Sequence, residues 1–182
     1  MKRKWIAIGV AALLALTIVG VATAHQISKI KGTPGDDQLT GTPSRDLIVA
    51  RAGNDTVSAL EGNDRVFAGR GNDSVDAGPG NDRVHGGAGD DTLGGGDGND
   101  LLRGARGDDT VDGGPGNDRL RSGGGTDALN GGDGDDALFL IARDRKVDHA
   151  DCGTGNDAVW VNADESDVHV NCETVKTVSI SD

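Results

Sequence analysis

The chain has 182 residues, room for about one domain, and contains 31 Gly, two Phe, two Trp and no Tyr. So few large side chains exclude an ordinary globular core, because large apolar groups supply most buried area. The 18 basic and 30 acidic residues give a formal charge of −12, which disfavours nucleic acid and anionic membranes as partners and favours cations.

At the N-terminus Lys2, Arg3 and Lys4 precede the apolar run Trp5 to Val21, and Ala-Thr-Ala follows at 22–24. This order predicts a signal peptide over residues 1–24, cleaved after Ala24, with a linker at 25–31. The rival is an uncleaved anchor, since seventeen residues stand near the lower limit for a spanning helix. Cleavage leaves 15 basic against 30 acidic residues. The mature chain is then expected to be extracellular, with no stable membrane insertion and no nucleic-acid partner.

From residue 32 to 140 the chain keeps a nine-residue beat, and such internal repeats decide the fold class. Stepping by nine from Asp37 meets Asp46, Asp55, Asp64, Asp73, Asp82, Asp91, Asp100, Asp109, Asp118, Asp127 and Asp136. Two residues after each stands an aliphatic, from Leu39 and Ile48 through to Leu129 and Leu138; two residues before each stands glycine, except at Ser44. Biased composition alone would not hold three positions in phase over this length. In a three-residue strand with a central aliphatic, alternation points that residue to one side and its neighbours to the other, so the twelve aliphatics line one interior. Such a core is thin, and it cannot by itself offset the roughly 1 to 2 kcal/mol per residue of backbone entropy lost on folding.

The phrases GGAGDDTLG (86–94), GGDGNDLLR (95–103) and GGPGNDRLR (113–121) resemble the nonapeptide of the RTX, or hemolysin-type calcium-binding, repeat family. The resemblance covers about residues 32–140. It implies an all-β fold, a parallel β-roll: a two-sheet right-handed solenoid of 18 residues per turn. In each nonapeptide the first six residues form a calcium loop and the last three a strand, and a short C-terminal β cap follows. The implied cofactor is Ca²⁺, which takes 6 to 8 oxygen ligands.

With 18 residues per turn the aspartates fall into two rows: Asp37, Asp55, Asp73, Asp91, Asp109 and Asp127 on one side, Asp46, Asp64, Asp82, Asp100, Asp118 and Asp136 on the other. The resemblance places an ion between successive loops of a row, so five gaps per row set a ceiling of ten. The strongest sites are expected at Asp73, Asp82, Asp91, Asp100, Asp109 and Asp118. Thr33, Thr42, Arg51 and Leu60 replace the second glycine in the first four repeats, and Arg45 precedes Asp46, which weakens the N-terminal sites. The plain alternative is that these Asn-Asp and Gly-Asp pairs only make solvated turns.

The two outer faces are expected to differ. One shows small, hydroxylic and acidic residues; the other shows Arg65, Arg83, Arg103, Arg119 and Arg121, with Phe67 and His85. The plainer reading of these arginines is that they balance neighbouring carboxylates, and the sharper one is a partner face for an anionic cell-surface or matrix polymer. Residues 141–182 read as a capping segment with one further repeat-like phrase, CGTGNDAVW at 152–160. Cys152 and Cys172 are expected to pair as a disulfide in an oxidising compartment, against a rival of two free thiols. Phe139 and Trp160 are expected to seal the last layer.

No HExxH and no GxSxG occurs, and the four His stand in no cysteine cluster, so the first functional reading is non-catalytic. It is a secreted calcium-binding protein whose folding is driven by calcium after export. The alternative is an extracellular adhesin or matrix scaffold that uses the arginine face, with calcium purely structural. Ice binding is disfavoured because the third loop position carries no Thr ladder.

Overall fold

The computed structural model describes residues 27–141, 144–163 and 166–179; the expected signal segment, 1–24, lies outside them. Among the described residues there are seventeen short strands and no helix. No described helix is long and apolar enough to cross a membrane.

The strands alternate between two parallel sheets. The first holds β1 (Ser28–Lys31), β3 (Asp46–Ala52), β5 (Arg65–Arg70), β7 (Arg83–Ala88), β9 (Leu101–Arg106), β11 (Arg119–Gly124), β13 (Ala137–Leu140), β15 (Ala158–Asn162) and β17 (Thr174–Val178). The second holds β2 (Gln38–Thr40), β4 (Thr56–Ser58), β6 (Ser74–Asp76), β8 (Thr92–Gly94), β10 (Thr110–Pro115), β12 (Ala128–Asp133), β14 (His149–Asp151) and β16 (Val168–Val170). Each strand pairs with the one a full turn later, so Val66 faces Val84 and Val84 faces Leu102, a step of 18. The architecture is the parallel β-roll that the resemblance of the repeats implies, about eight turns of it.

Parallel sheets usually need helices on both faces. Here each sheet covers the other's inner face, and both outer faces stay in water. The interior is correspondingly narrow. All the repeat aliphatics from Ile48 to Leu138 are 3 % exposed or less, and Leu39, in the first turn, packs partly buried against them. Strand alternation also turns inward the residue two places further on, a second contribution that the repeat pattern did not advertise. It is Ala50, Ala59, Ala68 and Ala77 in the early turns, Gly86, Gly95, Gly104 and Gly113 in the middle, and Ser122 and Leu140 late. The core therefore carries a methyl group per half-turn more than two aliphatics per turn near its start, and no such methyl in its middle.

The loops need glycine because stacked turns run backbone against backbone. Gly98 has φ +130°, and a Cβ there would collide with the Gly80 carbonyl of the turn before. Gly98→Ala is expected to cost more than about 2 kcal/mol, from the left-handed backbone and the displaced turn together; calcium-loaded thermal melts of the two proteins check this. Arg51, Leu60 and Ala105 fill a glycine position yet keep positive φ, 93°, 71° and 102°, so those loops hold the glycine conformation under strain rather than rebuild it.

After Leu138 the beat slips without breaking the roll. Leu138 pairs with Val159, and Asn130 with Asp151, each a step of 21. Cys152 and Cys172 form a disulfide with Cα atoms 5.2 Å apart, closing a loop worth about 3 kcal/mol of chain entropy. One expectation is corrected. Phe139 and Trp160 do not seal the end; they occupy outward positions on β13 and β15 and stack on each other, centroids 4.5 Å apart. The inward places beside them already belong to Leu138 and Val159, and period-two alternation leaves the aromatics no other side.

Candidate metal centre

Every repeat aspartate sits at the end of a loop, two residues before its inward aliphatic, so its side chain enters the roll just where the loop joins the strand. From Asp46 onward these aspartates are 3 % exposed or less. In each row one carboxylate oxygen, Oδ1, accepts the backbone N–H of the aspartate one turn earlier. Asp73 donates to Asp91 at 2.9 Å, Asp91 to Asp109 at 2.9 Å and Asp109 to Asp127 at 2.8 Å. On the other row Asp82 donates to Asp100 at 2.7 Å and Asp100 to Asp118 at 2.8 Å. The two rows anticipated from an 18-residue turn are thus continuous hydrogen-bonded ladders.

The second oxygen, Oδ2, is different. In ten of the twelve, Asp55 through Asp136, it is buried without any hydrogen-bond partner. An unpaired buried carboxylate oxygen is costly, so its environment calls for a proton or a cation. The two exceptions are Asp37 and Asp46. Their Oδ2 atoms accept the N–H of Thr33 and of Thr42, both at 2.5 Å, with the threonine hydroxyls adding longer contacts. The threonines that replace glycine in the first two repeats therefore satisfy the carboxylates themselves.

Backbone oxygens border the same spaces. A methyl group placed on Gly86 would meet both Asp91 Oδ2 and the Gly104 carbonyl; on Gly95 it would meet Asp100 Oδ2 and the Gly113 carbonyl, and on Gly113 it would meet Asp118 Oδ2 and the Gly131 carbonyl. Among the described residues no three carboxylate, imidazole or thiolate groups converge on one point. A cation here would need a mixed set of carboxylate and carbonyl oxygens, the donors a hard ion such as calcium prefers. On that chemistry the residues present fit the group.

The ladders run further than the twelve repeats. Asp127 donates to Asp148 Oδ1 at 2.9 Å, and Asp148 to Asp167 Oδ1 at 3.0 Å. Asp136 donates to Asp157 Oδ1 at 2.7 Å, and Asp157 to Glu173 at 2.7 Å. Asp157 and Asp167 again carry an unpartnered Oδ2. The repeat-like phrase at 152–160 contains Asp157, whereas Asp148, nine residues before it, lies outside every phrase read from the sequence; stepping backward from Asp157 finds it. A second missed role belongs to the residue before each aspartate. Asn72 Oδ1 accepts the Asp90 N–H, and Asn81 Oδ1 accepts the Asn99 N–H, a ladder in the opposite direction that clips adjacent loops together.

Burial, reinforced by neighbouring carboxylates, pushes Asp82, Asp109, Asp118 and Asp148 up to about 7, and Asp64, Asp91, Asp127 and Asp136 to about 6. The donated N–H groups pull the other way and lose. Because the folded values lie above the unfolded ones, protonation favours the roll. That contribution is complete below about pH 4 and is lost as pH rises through 6 to 7. Metal-stripped protein is therefore expected to hold more β structure at pH 4 than at pH 8, seen by far-ultraviolet circular dichroism. In calcium the dependence is expected to flatten, because the cation replaces the protons.

No curated protein matches the chain. The RTX calcium-binding nonapeptide repeat matches it four times, over residues 31–66, 58–93, 94–129 and 103–138. Together these matches span more than half of the chain, and the aspartate rows with their loop glycines lie within them. On this match and the roll it fits, the protein belongs to the RTX calcium-binding nonapeptide repeat family.

Proposed function

We infer that this is a secreted, non-catalytic calcium module whose roll assembles when the exported chain first meets calcium. The observation that supports the reading best is the double row of carboxylates, ten of which, Asp55 through Asp136, are buried with one oxygen held by a backbone N–H and the other unpartnered. Asp73, Asp82, Asp91, Asp100, Asp109 and Asp118, with loop carbonyls, would hold the ions. A bound calcium ion supplies positive charge and an oxygen-preferring coordination shell between successive loops. The protein's part is to present those oxygens at fixed spacing and to keep water from the carboxylates.

Asp37 and Asp46 serve as end caps in this reading, since Thr33 and Thr42 already engage them. Asp148, Asp157 and Asp167 extend the rows toward the C-terminus. Export agrees with the signal-like residues 1–24 and with the disulfide, and proteins of this repeat family are typically secreted. The test is circular dichroism of the mature chain with chelator and with calcium; equal spectra would refute the reading. The adhesin alternative is favoured by one observation. None of Arg65, Arg83, Arg103, Arg119 and Arg121 has a carboxylate of the described residues in ion-pair range.

A further inference from the structure

We propose that the outer face of the nine-stranded sheet binds a linear carboxylated glycan, laid across the strands along the axis of the roll. The proposal rests on the calcium-folded roll of the preceding subsection, which alone brings the residues of this face together.

Two columns of side chains point outward from this sheet. One runs Lys29, Leu47, Arg65, Arg83, Leu101, Arg119, and the other Lys31, Val49, Phe67, His85, Arg103, Arg121. Phe139, Trp160 and Lys176 continue the second column. Neither column contains a carboxylate anywhere along its length. The opposite sheet is its complement: its outward columns hold Asp76, Asp112 and Asp151 and no Lys or Arg. In a chain with twice as many acidic as basic residues after cleavage, this segregation makes one face cationic against the net charge.

Arg65, Arg83, Arg103, Arg119 and Arg121 are exposed, and among the described residues none has a carboxylate in ion-pair range, which favours a partner face over the plainer reading that they balance neighbouring carboxylates. Exposed arginines on four consecutive strands, β5, β7, β9 and β11, put a guanidinium on each step of about 4.8 Å. A polymer with one carboxylate per sugar ring repeats its charge at a similar interval, and guanidinium takes carboxylate in a two-pronged hydrogen bond. Arg103 and Arg121, but not Arg65, Arg83 or Arg119, line a cleft of about 610 Å³ together with Arg70, His85, Arg106 and Asp144. Asp144 is turned to the backbone N–H groups of Gly125 and Lys146. Burial, and secondarily Arg103, hold His85 below its ordinary value, so it faces the cleft as a neutral hydrogen-bonding ring.

The aromatic groups argue against single-stranded nucleic acid as occupant. Base stacking needs a free ring face. Trp160 has one face on Phe139 and Lys176 Nζ 4.3 Å from its centroid. The high charge density of a polynucleotide also meets the repulsion of the acidic remainder.

The experiment uses the mature chain in millimolar calcium, with a fluorescent oligogalacturonate too short to gel as probe, and neutral dextran and single-stranded DNA as competitors. Binding is expected to weaken with salt, to resist both competitors, and to fall at least about tenfold in a variant carrying Arg65→Ala, Arg83→Ala, Arg103→Ala and Arg119→Ala. The same four changed to Lys are expected to restore part of it. Unchanged binding in the alanine variant, with its calcium-induced spectrum intact, would overturn the proposal, as would displacement by DNA or dextran. Arginine-dependent binding that persists in chelator, with spectra equal in chelator and calcium, would instead overturn the folding reading and leave the face assigned.

Discussion

Chelation of calcium is expected to convert the mature chain from a β-rich to a coil-like circular dichroism spectrum, the largest single effect foreseen for this protein. The reason lies in what the roll buries. Between residues 32 and 140 there are 21 acidic and nine basic residues, and ten of the acids are buried with one oxygen unpartnered. Near pH 8 these carboxylates are mostly ionised, so the metal-free roll stacks like charges about one strand spacing apart in a poorly hydrated setting. Its apolar interior is too narrow to compensate. Restoring calcium is expected to refold the chain with a midpoint around 10⁻⁴ to 10⁻³ M, the range of extracellular calcium modules. The transition should be steep, because each turn contacts only its neighbours and gains from their order. A chelated protein with an unchanged spectrum would mean that hydrogen bonds and the thin core suffice.

Loss of one central carboxylate should be felt by both neighbouring turns. Asp109 Oδ1 accepts the Asp91 N–H, while its own N–H donates to Asp127. Asp109→Ala strands a buried donor, at about 1 to 3 kcal/mol, and removes a ligand candidate from two adjacent gaps. The calcium midpoint for folding is expected to rise by about tenfold or more, since 1.4 kcal/mol corresponds to a factor of ten. Asp109→Asn keeps an acceptor for the N–H and loses only the charge. It should still raise the midpoint, and an Asn variant matching the parent would deny the carboxylate a role in binding the cation. Asp37→Ala makes the control: that carboxylate is in the first turn and already engaged by Thr33, so a shift as large as that of Asp109 would contradict the assignment of Asp37 as a cap. Titration followed by circular dichroism reads all three.

Periodicity made most of the fold legible. A residue type recurring every nine positions, with an aliphatic two places on, marks a repeat whose units make the same contacts with their neighbours, and the resemblance of its phrases to the RTX nonapeptide supplied the two repeats per turn. The two aspartate rows and the inward aliphatics followed from that arithmetic. Asp148 escaped it because the chain between Leu140 and Val147 breaks the count, although the roll absorbs the insertion as a step of 21.

Spacing and composition along the chain carried the repeat, the unequal outer faces and the pairing of Cys152 with Cys172, and the resemblance to the RTX nonapeptide added the two-row arrangement. Tertiary structure alone decided what each atom does. It gave one carboxylate oxygen to a neighbour's N–H and left the other bare; it turned Thr33 and Thr42 into partners for Asp37 and Asp46. It also put Phe139 and Trp160 on the outer face and left Arg65, Arg83, Arg103, Arg119 and Arg121 outside ion-pair range of every carboxylate among the described residues. These outcomes depend on contacts between turns 18 or 21 residues apart, where the direction of a side chain and the distance to its neighbour are set by stacking, and no spacing along the chain encodes them.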